Sequence, residues 1–165
     1  MPPSIRRVDH IGIAVPDLEA AVAAFTALLG TGPSSVEEVA DQKVRTAFFA
    51  AGDTNLELLV PTAEDSPISS FLARRGAGIH HICLEVPNLE VALAEYRRAG
   101  LRLIDETPRV GAHGKRIAFL HPKSTGGVLL ELCEARSGAA CPPNPRVPHT
   151  TATTPPHGSQ GGPAA

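Results

Sequence analysis

The chain carries one stretch twice. "VDHIGIAVPDLEAAVAAF" begins at Val8, and "IHHICLEVPNLEVALAEY" begins at Ile79. A constant offset of 71 residues takes His10 to His81, Ile11 to Ile82, Val15-Pro16 to Val86-Pro87 and Ala47-Phe48 to Ala118-Phe119. "LEL" at 56–58 then falls on "LEL" at 130–132 at an offset of 74, the extra residues lying in the turn-like "HPKSTGGV". An internal repeat constrains architecture more than any other sequence feature. Two long copies point to a duplicated module sharing one core, not to a solenoid array.

Each copy follows the same order of local signals. Val8–Val15 and Ile79–Val86 are β-rich runs ending at proline, and read as strands. Asp17 and Asn88 stand as helix N-caps. Leu18, Ala21, Val22, Phe25 and Leu28 in one copy, and Leu89, Ala92, Leu93 and Tyr96 in the other, repeat at helical spacing until Gly30 and Gly100. Three strands follow in each copy: Ser35–Val39, Val44–Ala50 and Asn55–Val60, then Arg102–Glu106, Arg116–Leu120 and Val128–Cys133. Between the copies, Ser66 caps a short helix with Pro67 at its first position and Gly76 as its stop. The expected fold is α+β, two tandem βαβββ modules over about 5–62 and 77–135, with a linker helix near 66–75.

Composition excludes several classes. With 15 basic and 17 acidic residues, a net charge of −2 and no basic patch, nucleic acid is not an expected partner. No apolar run reaches the roughly 20 residues of a membrane span, and "MPPSIRR" carries no apolar leader. Three cysteines, at 83, 133 and 141, form no CxxC and leave an odd count, which favours a reducing, cytoplasmic setting. Residues 137–165 are rich in proline, threonine and glycine and poor in large apolar residues, and read as a disordered tail.

Strand alternation locates the chemistry. In the first strand Ile11, Ile13 and Val15 suit packing beneath a helix, and His10 lies opposite with Gly12 and Ala14. His81 repeats this beside Cys83. Glu57 and Glu131 point away from the leucines that flank them. Taken singly, each is read as an exposed strand residue or half of a His–Glu ion pair. Together, two imidazoles and two carboxylates on the same face of two related modules suit a shared first-row divalent metal. The same alternation puts His80 on the helix-packing face as a core histidine, makes His121 structural, and leaves Cys83 and Cys133 as small packing residues.

"DHIGIAVPDLE", "LELLVP", "HHICLEV" and "GVLLELCEA" resemble the vicinal oxygen chelate superfamily. "DSPISSFLARRGAGIHHICLEV" and "GAHGKRIAFLHPKSTGGVLLEL" narrow the resemblance to the methylmalonyl-CoA epimerases, over about 5–135. The resemblance implies a curved mixed sheet around a central metal, held by His10, Glu57, His81 and Glu131. It implies Co²⁺ first, with Mn²⁺, Ni²⁺ or Zn²⁺ as alternatives. It also implies an acyl-CoA substrate, α-proton abstraction through a metal-stabilised enolate, and a homodimer.

One departure matters. Where many bacterial epimerases carry a glutamate base in "QGVRE", this chain reads "QKVRT" and has Thr46. Glu131 is therefore expected as one base, with Glu57 as the other and His113 of "GAHGK" as a further candidate. His113 and Lys115 are also expected to touch substrate, with Lys115 or Lys123 near the CoA phosphates. Competing readings are a glyoxalase-type lyase, another acyl-CoA isomerase, and a metal-free small-molecule binder.

Overall fold

A computed structural model describes residues 3–134; the expected tail at 137–165 lies outside the described residues. The elements are β1 (Arg7–Ala14), α1 (Leu18–Leu29), β2 (Ser35–Val39), β3 (Val44–Ala51), β4 (Thr54–Pro61), α2 (Pro67–Arg75), β5 (Gly78–Glu85), α3 (Leu89–Arg98), β6 (Arg109–Val110), β7 (Arg116–Leu120) and β8 (Leu130–Glu134). The strands form one mixed, curled sheet in the order β2-β3-β4-β1-β5-β8-β7-β6. β1 pairs parallel with β4 and β5 parallel with β8, while β1 and β5 join the modules antiparallel at the centre. The order reads the same outward from that central pair, as duplication requires.

Local chemistry fixes the helices. The Asp17 carboxylate accepts from Ala20 N–H at 2.9 Å, and Asn88 accepts from Val91 N–H at 2.8 Å, each satisfying an N–H that the helix start leaves unpaired. Gly30 ends α1 in the left-handed region at φ 72°, where a side chain is disfavoured. The Ser66 hydroxyl caps α2, with Pro67 in its first turn.

Two cores lie on the outer face. α1 brings Leu18 and Phe25 onto Phe49, Leu58 and Ala47, and α3 brings Leu89 and Leu93 onto Leu120, Leu132 and Ala118. Each such side chain contributes about 1.5–3 kcal/mol on burial. The inner face is different. There Ile68 of α2 packs on Ala14, Val44 and Leu59, and Cys83, Ile117, Phe119 and Cys133 form the corresponding cluster of the second module.

Two strand expectations need correction. No strand spans Arg102–Glu106; an isolated bridge joins Leu103 to Leu120, and the edge strand is β6. Ile104 and Asp105 both donate their N–H to Phe119 O, at 2.8 and 3.3 Å, and the Asp105 carboxylate accepts from Phe119 N–H at 2.9 Å. A side chain has taken the place of a ladder carbonyl, so the regular alternation of pairing stops. Likewise β8 begins at Leu130, not Val128, because the Val128 N–H turns back to Thr125 O.

Candidate active site

The two central strands carry matching irregularities. Pairing of β1 with β5 slips between Val8 and His10, leaving Asp9 unpaired, and slips again opposite Ile79 and His81, leaving His80 unpaired. Asp9 and His80 are themselves related by the 71-residue offset. Each bulge re-aims the residue beside a site histidine. Asp9 is 1% exposed, and its Oδ2 lies 2.9 Å from His10 Nδ1. His80 Nδ1 lies 3.0 Å from His81 Nδ1, and its ring packs edge-on against Phe71 of α2. The expected face is corrected: the bulge breaks the alternation and turns His80 to the inner face, where it packs on α2.

The four expected site residues meet. His10 Nε2 and His81 Nε2 are 3.1 Å apart. Glu57 Oε2 lies 3.3 Å from the first and 3.5 Å from the second. Glu131 Oε2 lies 3.3 Å from His81 Nε2, and its Oε1 is 4.0 Å from His10 Nε2. All four residues are buried. Gly12, between the strands' two irregularities, makes room for them: a Cβ there would stand 2.2 Å from His81 Cε1.

Electrostatics follow from burial and crowding. Burial opposes charge on His10, but hydrogen bonds to Asp9 and Glu57 and the carboxylates of Glu57 and Glu131 outweigh it, raising its pKa to about 10. Burial, with the charges of His10 and His80, pushes His81 well below the ordinary imidazole value. Burial raises Glu131 to about 7, the charge of Glu57 adding to it and His10 opposing. Asp9 is held well below the usual carboxylate range: burial works against ionisation, and His10 and Lys115 overcome it. Lys115 Nζ sits 2.7 Å from both Asp9 oxygens and Arg7 reaches Asp9 Oδ1 at 2.7 Å.

Among the described residues, two overlapping groups have metal-ligand spacing: His10, Glu57 and His81, and Asp9, His10 and Cys83. The first fits a divalent cation. Its two imidazole nitrogens face one another, and Glu57 and Glu131 offer a carboxylate oxygen within 3.5 Å of a ring nitrogen. The second fits poorly. Asp9 is engaged by Lys115, Arg7 and His10, and the buried Cys83 Sγ lies 3.5 Å from Glu131 Oε1.

Around the quartet is a small cavity of about 20 Å³, lined also by Phe48, Val39, Ala112, His113 and Lys115. It shares Gln42, Val44, Leu59 and His81 with a larger cavity of about 330 Å³, which is lined by Ile68, Ile104, Phe119 and Leu129 with Lys43 and Arg109. His113 and Lys115 thus stand where the sequence expects them, at the site, but the Lys115 ammonium is bonded to Asp9. Thr46 is fully buried on the same face, and its hydroxyl has no partner among the described residues. Lys123 lines neither cavity; its N–H donates to His121 Nδ1 at 3.1 Å, so His121 caps the turn Pro122–Ser124. Asp9 is the site residue that sequence reasoning missed. Its signal is faint: an acid directly before the first histidine, where the second copy has another histidine.

A model of the glyoxalase/bleomycin resistance protein/dioxygenase superfamily matches residues 9–119. The chain is 43% identical over 133 residues to the human mitochondrial methylmalonyl-CoA epimerase, covering 80% of this chain and 76% of that protein. It is 44% identical over 130 residues to the ethylmalonyl-CoA/methylmalonyl-CoA epimerase of Cereibacter sphaeroides, covering 78% and 97%. Among solved structures, a variant of the Streptomyces coelicolor methylmalonyl-CoA epimerase in complex with 2-nitronate-propionyl-CoA superposes with a TM-score of 0.76 at 39% identity, covering 81% of this chain and 97% of that one.

Proposed function

We propose, from the premise that the chain belongs to the methylmalonyl-CoA epimerase family within the glyoxalase/bleomycin resistance protein/dioxygenase superfamily, that it interconverts the two epimers of methylmalonyl-CoA. The observation that carries this reading is the meeting of His10, Glu57, His81 and Glu131, drawn from both modules into one buried cluster. Burying two carboxylates and two imidazoles is costly without a shared partner, which speaks against a metal-free binder.

The reaction centre is a carbon between a carboxylate and a thioester. A base breaks its C–H bond, the electron pair moves to the thioester oxygen as an enolate, and a proton returned to the opposite face gives the other epimer. A divalent ion held by His10, Glu57, His81 and Glu131 would supply Lewis-acid polarisation of the substrate oxygens, and imidazole and carboxylate donors suit Co²⁺, Mn²⁺, Ni²⁺ or Zn²⁺. Glu57 offers one oxygen, Oε2, to both imidazoles and acts as a ligand. Glu131 divides its oxygens: Oε2 is nearest His81, and Oε1 accepts from the Cys83 thiol at 3.5 Å. Ligation through Oε2 leaves Oε1 to take and return a proton at one face of the substrate. A positioned carboxylate of this kind is worth about 10²–10⁴-fold.

The cavity of about 330 Å³ beside His81 suits the CoA arm, whose acyl end then reaches the quartet through the shared wall of Gln42, Val44, Leu59 and His81. The nitronate ligand of the Streptomyces coelicolor relative is a planar, delocalised anion like the enolate invoked here. The Cereibacter sphaeroides relative makes ethylmalonyl-CoA the second compound to assay.

The experiment is incubation of one methylmalonyl-CoA epimer with metal-supplied protein in D₂O. Appearance of the other epimer together with deuterium at the α-carbon supports the reading. Conversion of a hemithioacetal with no effect on methylmalonyl-CoA would favour the glyoxalase-type alternative.

A further inference from the structure

We infer, on the epimerase reading, that His113 is the second proton-handling group and that Glu37 and Ser35 hold it in position. Epimerisation needs a proton carrier on each face of the α-carbon. Glu131 supplies one, and Thr46 has no basic group to supply the other. Of the basic side chains that line the small cavity outside the ligand quartet, Lys115 is held by both Asp9 oxygens and His113 is not.

His113 lines the same small cavity as Glu131. It comes from the short loop at Ala112–Gly114 that packs on Ser35 and Glu37 of β2, whereas Glu131 stands on β8. Its ring rests on Phe48, with centroids 4.4 Å apart, and Phe48 in turn meets His10 edge-on. Its Nε2 lies 2.8 Å from Ser35 Oγ and 3.0 Å from Glu37 Oε1. Its backbone N–H donates to both Glu37 oxygens, at 3.2 and 3.3 Å. Nδ1 has no protein partner among the described residues. An imidazole with a carboxylate on one nitrogen and the other nitrogen open has the arrangement of a general base.

Two further observations agree. His113 adopts left-handed backbone angles, φ 56° and ψ 21°, which a residue with a side chain rarely takes and which here are fixed by contacts from the other module. Glu37 is also the cross-strand neighbour of Thr46. The acid absent from β3 stands one strand over, on β2, and reaches the site through an imidazole.

The step balances. For one epimer, neutral His113 takes the α-proton through Nδ1, the C–H electron pair moves to the thioester oxygen, and the protonated Glu131 carboxyl returns a proton to the other face. For the other epimer the roles reverse. The His113 side chain is 41% exposed, so it can exchange its proton with solvent between turnovers. His113 is a catalytic residue in this scheme, and Glu37 a positioning residue.

The test uses the full-length, metal-supplied protein and each pure methylmalonyl-CoA epimer in D₂O, reading α-deuteration and inversion in the same samples, with metal content and KM alongside. His113→Asn should keep metal and KM. It should lower inversion by about 10²–10⁴-fold, while one epimer, the one whose proton faces Glu131, still gains deuterium without inverting and the other stays inert. Glu37→Gln should give the same asymmetry with a smaller loss. A merely structural role would not separate exchange from inversion or one epimer from the other. Inversion near the parent rate in His113→Asn, or equal loss of exchange from both epimers, would overturn the assignment. A parent protein that neither exchanges nor inverts would overturn the epimerase reading beneath it.

Discussion

Asp9 links the site to the stability of the chain. Its carboxylate is 1% exposed and holds His10 Nδ1, Lys115 Nζ and Arg7 together. Replacing one member of a buried charge pair costs about 3–5 kcal/mol. Lys115 keeps 19% of its side-chain exposure, so Asp9→Asn should cost somewhat less, about 2–4 kcal/mol, measured by urea unfolding. The same variant should bind metal about 10–100-fold more weakly, because His10 loses the partner that fixes its ring. A change under about 0.5 kcal/mol, the size of an ordinary surface substitution, would contradict the structural half of this role. The pH dependence has a definite sign. Folding lowers the Asp9 pKa, so its contribution is whole above the ordinary value of 3.8 and is lost as pH falls toward the folded value. At the ligands, His10→Ala and His81→Ala should each lose metal and activity together, as metal analysis and epimer conversion would report.

Strands β1 and β5 carry His10 and His81, two of the four proposed ligands, and Gly12 of β1 lies against the His81 ring. A Cβ at Gly12 would stand 2.2 Å from His81 Cε1 and 2.4 Å from its Nδ1. The ring cannot simply retreat, since Phe119 and His10 lie edge-on to it at 5.8 and 5.2 Å. Gly12→Ala, which changes none of the four proposed ligand residues, should therefore weaken metal binding at least about 10-fold by titration calorimetry. Unchanged affinity would mean that the strands yield there. These elements also mark how far the sequence can be read. His10, Glu57, His81 and Glu131 are legible because two-residue alternation and the repeat agree at all four. Asp9 is not, because a one-residue bulge brings it to the side of its neighbour, which alternation forbids. The Glu37–His113 contact is illegible for another reason: it joins residues of different modules through a short loop, and no local pattern encodes that meeting. The edge at Arg102–Glu106 reads as strand by composition, yet the Asp105 carboxylate takes up the Phe119 N–H.

The described residues form two outer-face cores, two inner-face apolar clusters and one candidate site at the seam between the modules. α1 and α3 each cover their own module, and the four proposed ligands come in pairs from the two sides of the β1–β5 seam. No described helix is long and apolar enough to cross a membrane. A divalent ion held at the seam by the proposed ligands would tie the modules together, so binding should appear as stability. At 100 times Kd, linkage gives about 2.7 kcal/mol, or a rise in Tm of roughly 5–11 °C for a chain of this size. The rise should vanish in His81→Ala and on chelation, as scanning calorimetry would show. The most direct measurement is epimer conversion as a divalent ion is titrated into metal-stripped protein. If His10 and Glu57 from one module and His81 and Glu131 from the other form a single catalytic site, conversion of methylmalonyl-CoA should climb in proportion to added ion and level off at one ion per chain. A plateau at two ions per chain, or a fully loaded protein that leaves the epimer unchanged, would contradict it.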